Sequence, residues 1–226
     1  MKISTGSEVI DSLLEGGLEG DEITTIYGPG ASGKTNICLI AAAETASKGK
    51  KVIYVNTEEV SIERLKQVSK NAPLENIVFI KPKSFWLQNQ VLDKIRKEID
   101  QKVGMVVVDS IGRLYRINIA QEKDVSKLNK YFGMQIAYLA EIAKKKRIPV
   151  ILSNQVYDDF EEKDKIKMVG GEIIKSRSGC IIELKANGKR RTAIIRKHRA
   201  IKEGKEVSFE IVSEGIKEIK KGFDLF

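Results

Sequence analysis

Apolar residues in this chain fall into short runs that alternate with longer stretches of helical spacing. Glu22–Tyr27 is a brief β-branched run, Gly28–Gly33 breaks it, and Lys34–Ser47 continues with Ala, Ile and Leu, a succession of strand, loop and helix. Lys51–Asn56 predicts a second strand, Ser61–Lys70 a helix, Ile77–Ile80 a third strand and Phe85–Gln101 an amphipathic helix. Met105–Asp109 is apolar up to its closing acid, as in a parallel strand buried on both faces; Pro149–Ser153 repeats that pattern after the helical stretch Val125–Lys146. Beyond Gly179 the pattern changes: two strand-like runs flank the turn signal Ala186-Asn187-Gly188, and Val207–Val212 adds a third. The expected fold class is α/β, with a central parallel sheet flanked by helices and extended by C-terminal antiparallel strands. In such sheets ligands bind beyond the carboxyl ends of the strands.

The chain has 226 residues, 42% of them apolar and 31% charged, with no fixed-period repeat and no low-complexity tract; a single domain spanning 1–226 is expected. No apolar run approaches the ~18 residues that suggest a membrane span. The opening MKISTGSEVID lacks the basic-then-apolar pattern of a secretion signal, so a cytoplasmic protein without a membrane partner is expected. Cys38 and Cys180 stand in apolar surroundings without metal-ligand spacing and read as buried thiols. The net charge is +9, but residues 1–35 carry −4 while residues 185–202 hold eight cations and no acid. Such a concentrated cationic segment is the footprint of a polyanion binder, nucleic acid above all. Abundant Lys and Glu throughout would also suit the solvated surface of a heat-adapted protein.

Gly28-Pro29-Gly30-Ala31-Ser32-Gly33-Lys34-Thr35 fits G-x-x-x-x-G-K-[ST] and lies between a predicted strand and helix, as a P-loop requires. Glycines let backbone N–H groups turn toward phosphate oxygens, the helix N-terminus adds positive potential, Lys34 neutralises β/γ charge, and Thr35, followed by Asn36, is placed to bind Mg²⁺. Asp109 suits a carboxylate holding the Mg²⁺ shell from a neighbouring strand. Because Ser110 follows it, the carboxylate that orients an attacking water must come from elsewhere; Glu58 and Glu59, just past a strand end, are both candidates. Asn154-Gln155 ends another buried strand, where an amide could hydrogen-bond a γ-phosphate and give the following loop two states.

Together these blocks resemble the RecA/RadA recombinase family, and are similar above all to its short archaeal RadB branch. STGSEVIDSLLEGGLEGDEITTIYGPGASGKTNICLIAA, YVNTEEVSIERL, VVVDSIGRLYR, VILSNQV and VGGEIIKSRSG follow the family's order and spacing along nearly the whole chain. The resemblance implies a RecA-like P-loop NTPase core with ATP and Mg²⁺ as cofactors. It implies that Glu58 matches the catalytic glutamate, Asp109 the Walker-B acid, Gln155 the γ-phosphate-sensing glutamine, and Arg64 an arginine that stacks on adenine. It further implies a DNA-binding accessory (mediator) role in homologous recombination and repair, with a weak or slow ATPase. The implied partners are DNA, single-stranded by preference, a RadA-like recombinase, other repair factors and a second copy in a homodimer.

Three departures shape these expectations. Full recombinases carry an N-terminal helical domain, whereas Met1 here begins almost directly at the ATPase core, so filament assembly by that route is not expected. Val156–Met168, at the place of a family DNA-binding loop, contains Asp158, Asp159, Glu161, Glu162 and Asp164, whose charge repels phosphate. The usual Asp-Thr-Glu-Gly reads Asn56-Thr57-Glu58-Glu59. Arg196-Lys197-His198-Arg199 stands where the bacterial recombinase has a Lys-x-Lys pair reaching a neighbour's nucleotide. Lys197 and Arg199 would contact either DNA phosphates, joined by Lys189, Arg190, Arg191 and Arg196, or a trans ATP site; His198 reads as a polar spacer. The rival functions are a filament-forming strand-exchange ATPase and a RecA-like signalling ATPase or kinase with no DNA role.

Overall fold

The computed structural model describes residues 1–69, 72–121, 124–158 and 166–219. Nine strands form one sheet: β1 (Ile23–Tyr27), β2 (Lys51–Asn56), β3 (Ile77–Ile80), β4 (Val103–Asp109), β5 (Val150–Asn154), β6 (Ser178–Asn187), β7 (Arg190–Lys197), β8 (Glu206–Val212) and β9 (Gly215–Glu218). Their spatial order is β9-β8-β7-β6-β1-β5-β4-β2-β3. Every pair from β6 to β3 is parallel, and β6 through β9 continue antiparallel. Seven α-helices accompany the sheet among the described residues: α1 (Glu8–Leu13), α2 (Lys34–Ser47), α3 (Ile62–Ser69), α4 (Phe85–Glu98), α5 (Arg113–Ile119), α6 (Val125–Lys146) and α7 (Gly171–Arg177).

Strand alternation divides the core into two layers. Val52, Tyr54, Met105, Val107 and Ile151 face α1, α2 and α3, while Val55, Val106, Val108, Val150 and Leu152 face α4 to α7. Cys38 and Cys180 are buried free thiols; burial pushes the Cys180 thiol up to about 12. No described helix is long and apolar enough to cross a membrane.

The elements differ from the sequence reading where they are short or where a side chain ends them. Helices α1, α5 and α7 have six or seven residues, too few to show a helical period. Helix α4 stops at Glu98 rather than Gln101, because Asp100 Oδ1 accepts the N–H groups of Lys102 (2.7 Å) and Val103 (3.2 Å) and turns the chain into β4 two residues earlier than predicted. Of the predicted helix Ser61–Lys70, Ile62–Ser69 is helical and Lys70 lies outside the described residues. Strand β9 was not predicted; it pairs with β8 through Ile211 and Ile216. Val156–Asp158 pairs with Ile166–Met168 in a small ribbon; Asp159, Glu161, Glu162 and Asp164 of the predicted acidic loop lie outside the described residues.

Candidate nucleotide site

The site forms where β1, β2, β4 and β5 end on one edge of the sheet. Register aligns them: Tyr27 pairs with Asn154, and Asn56 with Asp109, so the residues that follow arrive together. After Tyr27 the chain passes so close to β6 that a Cβ on Gly28 would lie 2.4 Å from the Leu184 carbonyl oxygen, which only glycine permits. Ala31 (φ 57°) and Gly33 (φ 103°) take the left-handed conformation typical of anion-binding loops. Lys34 then opens α2, its Nζ donating to the carbonyls of Gly28 (2.8 Å) and Pro29 (2.7 Å). Burial lowers its pKa, and the carboxylates of Glu58 and Asp109 oppose that shift.

Asp109 is buried and accepts hydrogen bonds from Tyr54 Oη (2.9 Å) and Ser153 Oγ, with the Thr35 hydroxyl near enough to favour its ionised form. Burial raises its pKa and those donors hold it down. The Asp109–Ser110 peptide is cis. Ser110 Oγ donates to Glu58 Oε1 (2.9 Å), and Gln155 Nε2 donates to the same oxygen (2.6 Å). Glu59, the other sequence candidate, is exposed. Asn154 acts structurally: its Nδ2 donates to the Val169 carbonyl (2.7 Å) and its Oδ1 accepts the Gln155 N–H (3.0 Å).

Arg64 is tied to the site's margin. Its Nε donates to Asn36 Oδ1 (2.6 Å), and its two terminal nitrogens reach the carbonyls of Ser213 (2.9 Å) and Gly215 (3.0 Å). These bonds run along the guanidinium edge and fix its plane.

The P-loop, Glu58 and Gln155 share a cleft of about 480 Å³ with four residues that the motifs do not place there: Arg116, Val156, Arg191 and Ile211. By sequence Arg191 belongs with the hairpin cations. Arg116 lies on α5, too short a helix to show a face, and Tyr54 and Ser153 reveal themselves only as hydroxyls within apolar strands. Donors dominate the cleft; Arg191 Nε, on a side chain that lines it, and Ser32 Oγ, within the P-loop, are buried without a hydrogen-bond partner. Unpaired buried donors beside an ammonium fit a polyphosphate anion. No group of three His, Cys, Asp or Glu placed to hold a metal ion occurs among the described residues, so a cation here would draw on Thr35, Asp109, phosphate and water, as Mg²⁺ does.

The cationic hairpin segment is less free than its sequence implies. Arg196 pairs with buried Glu183 (2.5 Å), and Arg199 with Glu19 (2.7 Å) and Glu22 (3.0 Å). Lys197 Nζ donates to the Lys175 carbonyl (2.8 Å), and Arg190 to Ser208 Oγ (3.0 Å). His198 Nδ1 accepts the N–H groups of Ala200 and Ile201, both at 3.1 Å, making it a turn-former. Lys189 is exposed and makes no ion pair among the described residues.

Residues 1–219 match the Rad51 family. A Methanobrevibacter smithii protein described as DNA repair and recombination protein RadB is 43% identical, the match covering 95% of each chain. One of the same description from Methanococcus maripaludis is 35% identical over 95% of this chain and all of its own. A solved structure described as the crystal structure of the RadB recombinase superposes with a TM-score of 0.80 at 33% identity, covering 96% of this chain and 99% of that one.

Proposed function

The chain belongs to the Rad51 family and has a RecA-like fold, and from that premise we propose that it is an ATP- and DNA-binding accessory protein of homologous recombination and DNA repair, with a slow ATPase. Its proposed partners are single-stranded DNA and a RadA-like recombinase. The observation that supports the nucleotide half is the convergence of Lys34, Asp109, Glu58 and Gln155 from four strand ends on one edge of the sheet.

In this reading the amides around Ala31–Thr35 and the Lys34 ammonium hold the phosphates. Thr35 and Asp109 would hold Mg²⁺, which supplies charge neutralisation at the transferred phosphoryl group. Tyr54 and Ser153 keep the Asp109 carboxylate oriented from behind. Glu58, steadied by Ser110, aligns the attacking water and takes its proton. Gln155 donates to Glu58; a terminal phosphate beside it competes for that amide, so occupancy is read at Gln155 and passed to the Val156–Asp158 ribbon that follows it.

The test is nucleotide binding and turnover in the Lys34→Ala variant, with and without single-stranded DNA. Loss of ATP affinity by at least ~10-fold with an unchanged circular dichroism spectrum is the expected result; binding and turnover equal to wild type would refute the site.

A further inference from the structure

By sequence Arg191 is one of a row of cations suited to DNA, but the fold takes it elsewhere. It lies on β7 opposite Phe209 of β8, and Phe209 and Ile211 of β8 pack beneath the P-loop, within 3.6 Å and 3.4 Å of where a Cβ on Gly33 would stand. The antiparallel extension of the sheet thus brings the turn end of the hairpin against the phosphate loop. Arg191 Nη2 donates to the Ala31 carbonyl (3.2 Å) and Nη1 to the Gly188 carbonyl (2.7 Å). Nε is buried with no partner, and the side chain lines the same cleft as Lys34, Glu58 and Gln155.

A guanidinium in this state has an acceptor at each terminal nitrogen and none at Nε. A buried N–H without one is costly, and a planar fork with an unpaired donor at the edge of a phosphate loop matches phosphate oxygens better than any group that Arg191 touches in the fold. We propose that Arg191 is a phosphate-binding residue of the nucleotide cleft, supplied in cis by the C-terminal hairpin. The proposal rests on the nucleotide reading above and adds a residue from outside the motif-bearing strands. Because Arg191 also pins the Gly188 turn, a bound triphosphate fastens the hairpin to the P-loop.

The experiment compares Arg191→Ala, Arg191→Lys and Lys189→Ala for Mg²⁺-dependent ATP affinity by calorimetry, and follows amide exchange over residues 186–192 with and without ATP. Arg191→Ala is expected to bind ATP ~10-fold or more weakly and Arg191→Lys several-fold more weakly, since a point charge cannot replace the fork. Lys189→Ala, a cation on the same hairpin, should stay within about twofold. ATP should protect the hairpin amides in wild type and not in Arg191→Ala. Wild-type affinity in both Arg191 variants, an equal loss in Lys189→Ala, or a loss of DNA affinity alone would overturn the assignment. If Arg191→Ala does not fold, Arg191→Lys decides on the same criterion. Failure of the nucleotide reading looks different: wild type itself would not bind ATP, or Lys34→Ala would bind it unchanged.

Discussion

Glu58 and Glu59 are adjacent carboxylates at the end of β2, yet they meet different surroundings. Glu58 receives Ser110 and Gln155 from the ends of β4 and β5, whereas Glu59 points to solvent. Nothing local distinguishes them, because the distinguishing donors lie 52 and 97 positions away; the residues alone left both open and only the family resemblance favoured Glu58. If Glu58 orients water, Glu58→Gln should lower turnover by roughly 100-fold or more while retaining ATP, and Glu59→Gln should change it by less than about twofold. Steady-state ATPase assays with nucleotide-binding controls check both. His198 gives a second residue-scale test. Its Nδ1 accepts two backbone N–H groups, and burial, with Lys2 next, lowers its pKa from 6.5. The fold therefore prefers the neutral ring: its stabilising contribution is fully present above the unfolded value of about 6.5 and is lost as pH falls through the lower folded value. Thermal unfolding from pH 8 to pH 5 should show a steeper acid-side loss in wild type than in His198→Ala.

At the scale of elements, legibility followed length and burial. The doubly buried β4 and β5 announced themselves as apolar runs, and the Asn187-Gly188 signal located the β6–β7 turn. The dual role of β6, parallel to β1 on one side and antiparallel to β7 on the other, is a property of its neighbours and leaves no mark in its own residues. Glu183 shows this. In sequence it is one acid beside a cationic run; in the sheet its side chain is 7% exposed and receives Arg196 from β7 through Nε (2.6 Å) and Nη2 (2.5 Å). Removing the guanidinium leaves a buried carboxylate without its ion-pair partner. Breaking a fully buried pair costs about 3–5 kcal/mol, but Arg196 is 36% exposed and solvent screens part of that loss. Arg196→Ala is therefore expected to destabilise the fold by about 2 kcal/mol, read as a lower urea midpoint at unchanged slope. A double-mutant cycle with Glu183→Ala isolates the pair.

For the whole molecule, alternating patterns sufficed to foresee a parallel α/β sheet with its motifs on the carboxyl edge, because that edge is set by chain direction alone. Charge was less readable, since a run of cations in sequence says nothing about which acids the fold brings to it. Glu19 and Glu22 come from the acidic first 35 residues to neutralise Arg199, Glu183 takes Arg196, and Arg191 is turned toward the P-loop. Lys185 and Lys189 remain exposed and without ion pairs among the described residues, which makes the hairpin tip, rather than the Arg196–Arg199 cluster, the surface from which counterions would be released on binding a polyanion. Each phosphate neutralised on a single strand contributes about 0.7 to the slope of log K against log salt. Lys185→Ala combined with Lys189→Ala should therefore flatten that slope by about 1.4 if both cations contact the strand. Arg199→Ala should lower thermal stability and leave the slope in place. Titrations of a labelled oligonucleotide between 50 and 200 mM salt separate the two regions: a slope that moves with Arg199 and not with the lysines would return the DNA contact to the Arg196–Arg199 cluster, and a slope near zero in wild type would favour an ATPase that grips no nucleic acid.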